Sequence, residues 1–329
     1  MAVDMNPPAE ASDFLARSGW GDAAIQPLAG DASFRRYFRV VAPGRSAVLM
    51  DAPPPQEDPR PFIAIAEWLS QRGFAAPQIL ARDLDHGLVL LQDFGDARMR
   101  ETVDAAPESE LRLYEAAVDL LVRLAEHEAA PVRPYDRQEY QREVGLFTEW
   151  YCPAVGLAVD GTSYRAAWDA VLDRVPATPP VTVLRDYHAE NIMLIDRPEV
   201  RGLGLLDFQD ALAGHPAYDL VSLLQDARRD VGAETAAACL RRYLDGSGLG
   251  AERLEAACAV LGAQRNLRIL GVFARLAVTR GNPRYIDLVP RVWRHLERDL
   301  AHPALAKVRG TLDVLPAPTP SVLESLRTP

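Results

Sequence analysis

Lysine is almost missing from this chain. Lys307 is the one lysine among 36 basic residues in 329 positions, so the other 35 are arginines. Chemistry that needs an ε-amine must use Lys307 or put an arginine in its place. Basic charge is short overall: 36 basic residues against 46 acidic ones leave a net charge of −10. Non-specific nucleic-acid binders need the opposite balance, because Lys and Arg must neutralise phosphates. Cysteine is scarce, and Cys152, Cys239 and Cys258 are odd in number, scattered and without C-x-x-C spacing. That pattern fits reduced thiols better than a disulfide framework or a zinc site. The opening residues, MAVDMNPPAE, carry neither the basic nor the apolar region of a secretory signal. No long run is purely apolar: residues 256–278 come nearest, and Gln264, Arg265, Asn266, Arg268 and Arg275 interrupt them. This stretch reads as a core helix with a polar stripe, not a membrane span. A cytoplasmic protein is expected.

What is present is an ordinary globular composition, 48% hydrophobic and 25% charged. At roughly 150 residues per domain the length allows about two domains or lobes. Residues 34–41 and 46–51 read as strands around the Pro43-Gly44 turn, and a proline-rich loop covers residues 52–61. Phe62, Ile65, Ala66 and Leu69 recur at helical spacing up to Gly73. Residues 78–80 and 87–91 are further strands. Beyond Gly95 the texture turns helical: residues 111–126 place Tyr114, Val118, Leu121 and Leu124 on one face, and residues 135–150, 162–174 and most of 218–302 follow suit. Short strands are expected at 181–184, 192–195 and 203–206. The fold class is therefore α+β and bilobal: a small β-rich lobe over residues 1–94, a larger, mainly helical lobe over 95–314, and a proline-rich surface tail over 315–329. A groove between two lobes is a common place for a ligand.

The segment VLRDYHAENIMLIDRPEVRGLGLLDFQDA, residues 183–211, carries the chemistry. Pairing its two strands as a hairpin sets Ile195 against Leu203 and Asn191 opposite Asp207. Asp186 lies five residues before Asn191. Two carboxylates and an amide at one end of a hairpin are hard oxygen donors that suit Mg²⁺, which also keeps waters and phosphate oxygens as ligands. Phosphoryl transfer needs such a set, one carboxylate to take the proton of the acceptor hydroxyl and the others to hold the metal beside the nucleotide phosphates. The D-x-x-x-x-N spacing followed by D-F-x is the protein-kinase catalytic pattern, with Gln209 at the glycine of D-F-G and His188 at the kinase lysine. Against this stands the plain reading of such acids as turn caps facing solvent.

The departures sharpen the likeness. Asp186, His188 and Asn191, then Leu206-Asp207-Phe208, then Pro216, Asp219 and Leu220, resemble the D-x-H-x-x-N, L-D-F and P-x-x-D-L pattern of the aminoglycoside phosphotransferase family. That family shares the protein-kinase fold and includes kinases of many small molecules. The resemblance covers nearly the whole chain. It implies ATP and Mg²⁺ as cofactors, Asp186 as catalytic base in contact with the acceptor, and Asn191 and Asp207 as metal ligands. It gives supporting roles to His188 and to Asp219, which would hold the catalytic loop from behind. Its nucleotide side is less marked here. Gly30 and Ser33 in LAGDAS are candidate phosphate contacts, or equally a plain turn. Met50 sits near the strand position where the family carries a lysine, so Arg35, Arg36 or Arg39 are candidates to supply the charge with Glu67 as helix partner; a solvated strand face reads as well. Gln92, Asp93 and Phe94 fall where the adenine-binding hinge would be.

Four stretches narrow the acceptor: GDASFRRYFRV, MDAPPPQEDPRPF, AQRNLRILGVFARL and PRVWRHLERDLAHPAL resemble the bacterial cell-wall-recycling sugar kinases. Those phosphorylate the anomeric hydroxyl of N-acetylmuramate and N-acetylglucosamine, and a uridylyltransferase then takes the sugar 1-phosphate. Arg265 and Asn266, with Gln264 and Arg268, are the candidate sugar contacts; Arg suits a carboxylate, although pairing with structural acids would equally explain the arginines. Trp150 and Tyr151 are candidate stacking platforms or core residues. Another hydroxyl acceptor (an aminoglycoside, choline or an amino acid) and a silent nucleotide-binding pseudokinase stay open. No nucleic-acid or membrane partner is expected.

Overall fold

The computed structural model describes residues 6–28, 35–173, 175, 177–197, 202–312 and 315–327. The chain divides into two compact units: residues 1–105 with 190–211, and residues 106–189 with 212–329.

The first unit is built on a five-stranded antiparallel sheet. Its strands are β1 (Ala24–Pro27), β2 (Arg36–Ala42), β3 (Arg45–Asp51), β4 (Ile79–Asp83) and β5 (Leu88–Gln92), in the order β1-β2-β3-β5-β4. Alternation puts Phe38, Val40, Ala47, Leu49, Leu88 and Leu90 on one face, where they bury against Phe14 and Leu15 of α1 (Ala11–Arg17) and Trp20. α2 (Arg60–Gln71) starts where Asp58 accepts the Arg60 N–H at 2.9 Å and buries Phe62, Ile65, Trp68 and Leu69. α3 (Met99–Ala105) follows β5. The hairpin of β7 (Ile192–Leu194) and β8 (Leu203–Leu205) completes this unit.

That hairpin is anchored through its backbone. Leu205 N–H donates to Ala75 O and Leu194 N–H to Ala97 O, each at 2.7 Å. Gly204 has the ring of Phe94 against it, and a Cβ there would lie 2.7 Å from the ring edge, so any larger residue would displace it. The register corrects the expected one by a single residue: Ile192 pairs Leu205 and Leu194 pairs Leu203. Asn191 therefore lies beside Leu206, whose N–H donates to the Asn191 carbonyl at 3.0 Å, and not opposite Asp207.

The second unit is mainly helical: α4 (Glu110–Ala125), α5 (Arg137–Leu146), α6 (Cys152–Ala154), α7 (Gly161–Leu172), α8 (Ala217–Leu224), α9 (Ala233–Ser247), α10 (Ala251–Arg280), α11 (Val289–Leu300), α12 (Ala306–Thr311) and α13 (Pro320–Arg327). β6 (Val181–Val183) pairs antiparallel with β9 (Leu212–Gly214). A π-helical turn, Phe147–Tyr151, joins α5 to α6. The 30-residue α10 is the axis of the core. It crosses α5 closely at Gly271, where a Cβ would stand 2.4 Å from the Leu146 carbonyl carbon. Among the described residues no helix, α10 included, is long and apolar enough to cross a membrane.

The expected surface tail is corrected too. Residues 320–327 form α13, and its Leu326 is fully buried in the core of the second unit, with Val322 and Leu323 packed on it. Lys307 is exposed on α12.

Candidate active site

In the first unit, Asp207 is one of two non-glycine residues with a left-handed backbone among the described residues, at φ 57°. L-residues adopt this conformation rarely, and Asp more readily than most. The turn swings its carboxylate back toward Asn191, whose Nδ2 donates to Oδ2 at 3.4 Å, while Gln209 Nε2 donates to Oδ1 at 2.9 Å. Phe208 points the other way, fully buried and stacked on Phe62 of α2 with centroids 4.9 Å apart. The hairpin thus brings Asn191 and Asp207 together despite the register shift. An amide and a carboxylate are the donor types Mg²⁺ takes.

In the second unit, Arg185 is the other left-handed residue, at φ 71°. Asp219, at the start of α8, accepts the N–H groups of Leu184 at 2.6 Å and Arg185 at 2.8 Å, and Ser222 donates to the Arg185 carbonyl at 2.9 Å. These bonds fix the backbone that delivers Asp186. Burial pushes Asp219 up to about 7. On Asp186, which keeps partial exposure, burial also favours protonation, but the positive charges of Arg268, Arg265 and Arg185, with His188, together outweigh it. They hold the carboxyl below its ordinary value. His188 is buried, its Nε2 3.1 Å from Arg228 Nη1, and burial pulls its pKa down. Tyr187 donates to the Ala117 carbonyl at 2.8 Å.

Glu143 is the residue the sequence reasoning missed. It is fully buried on α5 and joins Arg185, Tyr135, Gln264 at 3.0 Å and Arg268 at 3.2 Å. The available signal was its place on the same helix face as Tyr140 and Phe147, where a carboxylate needs partners.

The other expected residues fall variously. Gly30 and Ser33 lie outside the described residues. Arg35 lies 3.8 Å from Glu57, and Arg36 is tied to the buried Asp51 at 2.5 Å. Arg39 binds Asp93 at 2.9 Å and Asp96 at 2.7 Å. Glu67 stands half-exposed on α2, 3.7 Å from Arg82. Gln92 ends β5 opposite Ala47. Arg265 and Asn266, the expected sugar contacts, lie on α10. Both are buried: Arg265 donates to the Gln225 carbonyl at 3.2 Å, and Asn266 donates to Gln225 Oε1 at 2.7 Å and Asp299 Oδ2 at 3.1 Å. Tyr151 is no sugar platform, being stacked between Phe147 and Trp293 in the core. Trp150 lines a groove with Pro153, Val278 and Ser325.

With this geometry in view, likeness to other proteins becomes informative. Residues 24–257 match the model of the phosphotransferase enzyme family. The N-acetylmuramate/N-acetylglucosamine kinase of Caulobacter vibrioides is 36% identical over 91% of this chain and 94% of its own. The enzyme of the same name from Pseudomonas aeruginosa is 37% identical over 92% and 93%. Among solved structures, a choline/ethanolamine kinase family protein from Mesorhizobium loti superposes with a TM-score of 0.61 at 17% identity, covering 97% of this chain and 99% of that one. The streptomycin-ATP-APH(2")-IIa ternary complex gives 0.62 at 14% identity over 92% and 99%.

Proposed function

The chain belongs to the phosphotransferase enzyme family and has its protein-kinase-like fold, and from that premise we propose that it is an ATP-dependent kinase of N-acetylmuramate and N-acetylglucosamine. The phosphoryl group goes to the anomeric hydroxyl, giving the sugar 1-phosphate. The observation that carries this reading is 34–37% identity to kinases named for these two sugars, over 82–92% of the chain. Retention of Asp186, Asn191 and Asp207 supports turnover and weighs against a silent scaffold.

In this reading Asp186 accepts the proton of the acceptor hydroxyl as its oxygen attacks the γ-phosphorus and ADP leaves. A carboxyl held ionised by neighbouring guanidiniums is ready to accept at neutral pH. Asp219, through the backbone of Leu184 and Arg185, keeps Asp186 in place. Asn191 and Asp207 fit Mg²⁺ by donor chemistry and mutual proximity. Bound there, the ion would neutralise charge on the nucleotide phosphates. Arg35 and Arg36 stand in for the strand lysine, and residues 92–94 meet the adenine edge. A cytoplasmic uridylyltransferase is the class of enzyme that would consume the product.

A coupled ADP-release assay tests this with N-acetylmuramate, N-acetylglucosamine, their 1-O-methyl glycosides and an aminoglycoside. Both free sugars support turnover and both glycosides do not. Asp186→Asn abolishes turnover while keeping the fold. Turnover of the blocked glycosides would remove the anomeric assignment, and a fully active Asp186→Asn variant would remove the base.

A further inference from the structure

Four polar side chains of α10 enter the second unit, and three of them are closed off. Gln264 is held by Glu143, Arg265 by the Gln225 carbonyl, and Asn266 by Gln225 and Asp299; none is more than 2% exposed. Arg268 is different. Its Nε lies 3.2 Å from Glu143 Oε1, and its side chain stays 18% exposed. Its two Nη groups have no hydrogen-bond acceptor among the described residues.

Its place is specific. The same Oε1 of Glu143 takes Nη2 of Arg185, the residue directly before Asp186. One carboxylate oxygen therefore ties Arg268 to the segment that delivers the proposed base. Arg142, 3.7 Å from Glu143, is already paired with Glu139 at 2.7 Å, so Arg185 and Arg268 are the two guanidiniums that share the single buried carboxylate of Glu143. Arg268 is also the strongest of the charges that favour the ionised form of Asp186.

We propose that Arg268 is a specificity-determining residue of the acceptor site, its Nη fork binding a carboxylate on the sugar and so favouring N-acetylmuramate over N-acetylglucosamine. This rests on the reading of the chain as a kinase of these two sugars, which differ by a lactyl ether bearing that carboxylate. An anionic sugar approaching a carboxylate base and a triphosphate meets repulsion from both, and a fixed cation offsets it. A guanidinium presents two parallel N–H donors to a carboxylate. Pinning Nε beforehand reduces the conformational freedom lost when the sugar binds.

The test compares kcat/KM for N-acetylmuramate, its methyl amide (lactyl ether kept, charge removed) and N-acetylglucosamine. It uses the unsubstituted enzyme, Arg268→Lys and Arg268→Gln, with melting curves as a check on folding. In the unsubstituted enzyme, converting acid to amide lowers kcat/KM by about tenfold or more, the size of a charge-assisted pair. In Arg268→Gln the acid-to-amide ratio collapses toward one, and Arg268→Lys falls between. Equal use of acid and amide by the unsubstituted enzyme overturns the proposal without any variant needing to fold. A ratio unchanged in Arg268→Gln overturns it as well. If the unsubstituted enzyme phosphorylates neither sugar, the kinase reading fails and takes the proposal with it. Turnover of both sugars with an unaltered ratio leaves that reading standing and removes the proposal alone.

Discussion

Asp299 is a carboxyl held away from water, with Gln225 donating to one oxygen at 2.9 Å and Asn266 to the other at 3.1 Å. Burial pushes it up to about 7, against the pull of Arg298 and these two amides; the neighbouring Cys258 thiol is pushed up to about 12 by burial and the same carboxylate. A folded pKa above the unfolded value of about 3.9 means the folded chain binds the extra proton. Its contribution to stability is thus full below pH 4 and lost as pH rises toward 7. His295, pulled down to about 4 by burial, works the opposite way between its folded value and its ordinary 6.5. The informative comparison is therefore with Asp299→Asn. Between pH 5 and 8 the unsubstituted protein loses on the order of 2 kcal/mol more than this variant. Urea midpoints at both pH values measure it, and parallel loss in the two proteins would refute it. Asn191 and Asp207 were legible as neighbours, because local spacing set them at one end of a hairpin. The partners of Arg265 and Asn266 were not legible, because a polar letter on a helix does not show its partner: Gln225 lies 40 and 41 positions away from them, and Glu143 lies 121 from Gln264.

Elements were easier to read than their contacts. The expected helix over residues 111–126 is α4, and the strands around Pro43-Gly44 are β2 and β3. The hairpin was placed correctly and slipped by one residue, because short strands buried on both faces carry no alternation to fix their register. The tail deceived for a different reason. Its prolines suggested an extended coil, while its last eight described residues form a helix whose leucine closes the core. Leu326→Ala should therefore cost about 2–4 kcal/mol, as large-to-small changes at fully buried sites do. Thermal or urea unfolding measures this, and a loss under about 0.5 kcal/mol, typical of exposed positions, would mean that α13 does not pack as described.

At the scale of the whole molecule, the change of texture near Gly95 announced two parts. Residues 190–211 were expected in the second lobe and group with the first unit, held by backbone bonds to Ala75 and Ala97 that no local pattern displays. A ligand that binds only the folded chain stabilises it by mass action, about 2.7 kcal/mol at a hundred times Kd. ATP with Mg²⁺ should raise the melting temperature more than ATP alone, and Asp207→Asn should erase that difference. Scanning calorimetry with and without EDTA decides it; a variant that keeps the full metal-dependent gain would exclude Asp207 as a ligand.

Lys307 stands exposed on α12, the sole side-chain amine of an arginine-rich molecule. Amine-directed coupling would thus meet one side-chain address, besides any terminal amine. A resin or sensor chip loaded that way would hold its molecules by one helix of the second unit and in a common orientation. A dye placed there would report from a single known position without prior mutagenesis.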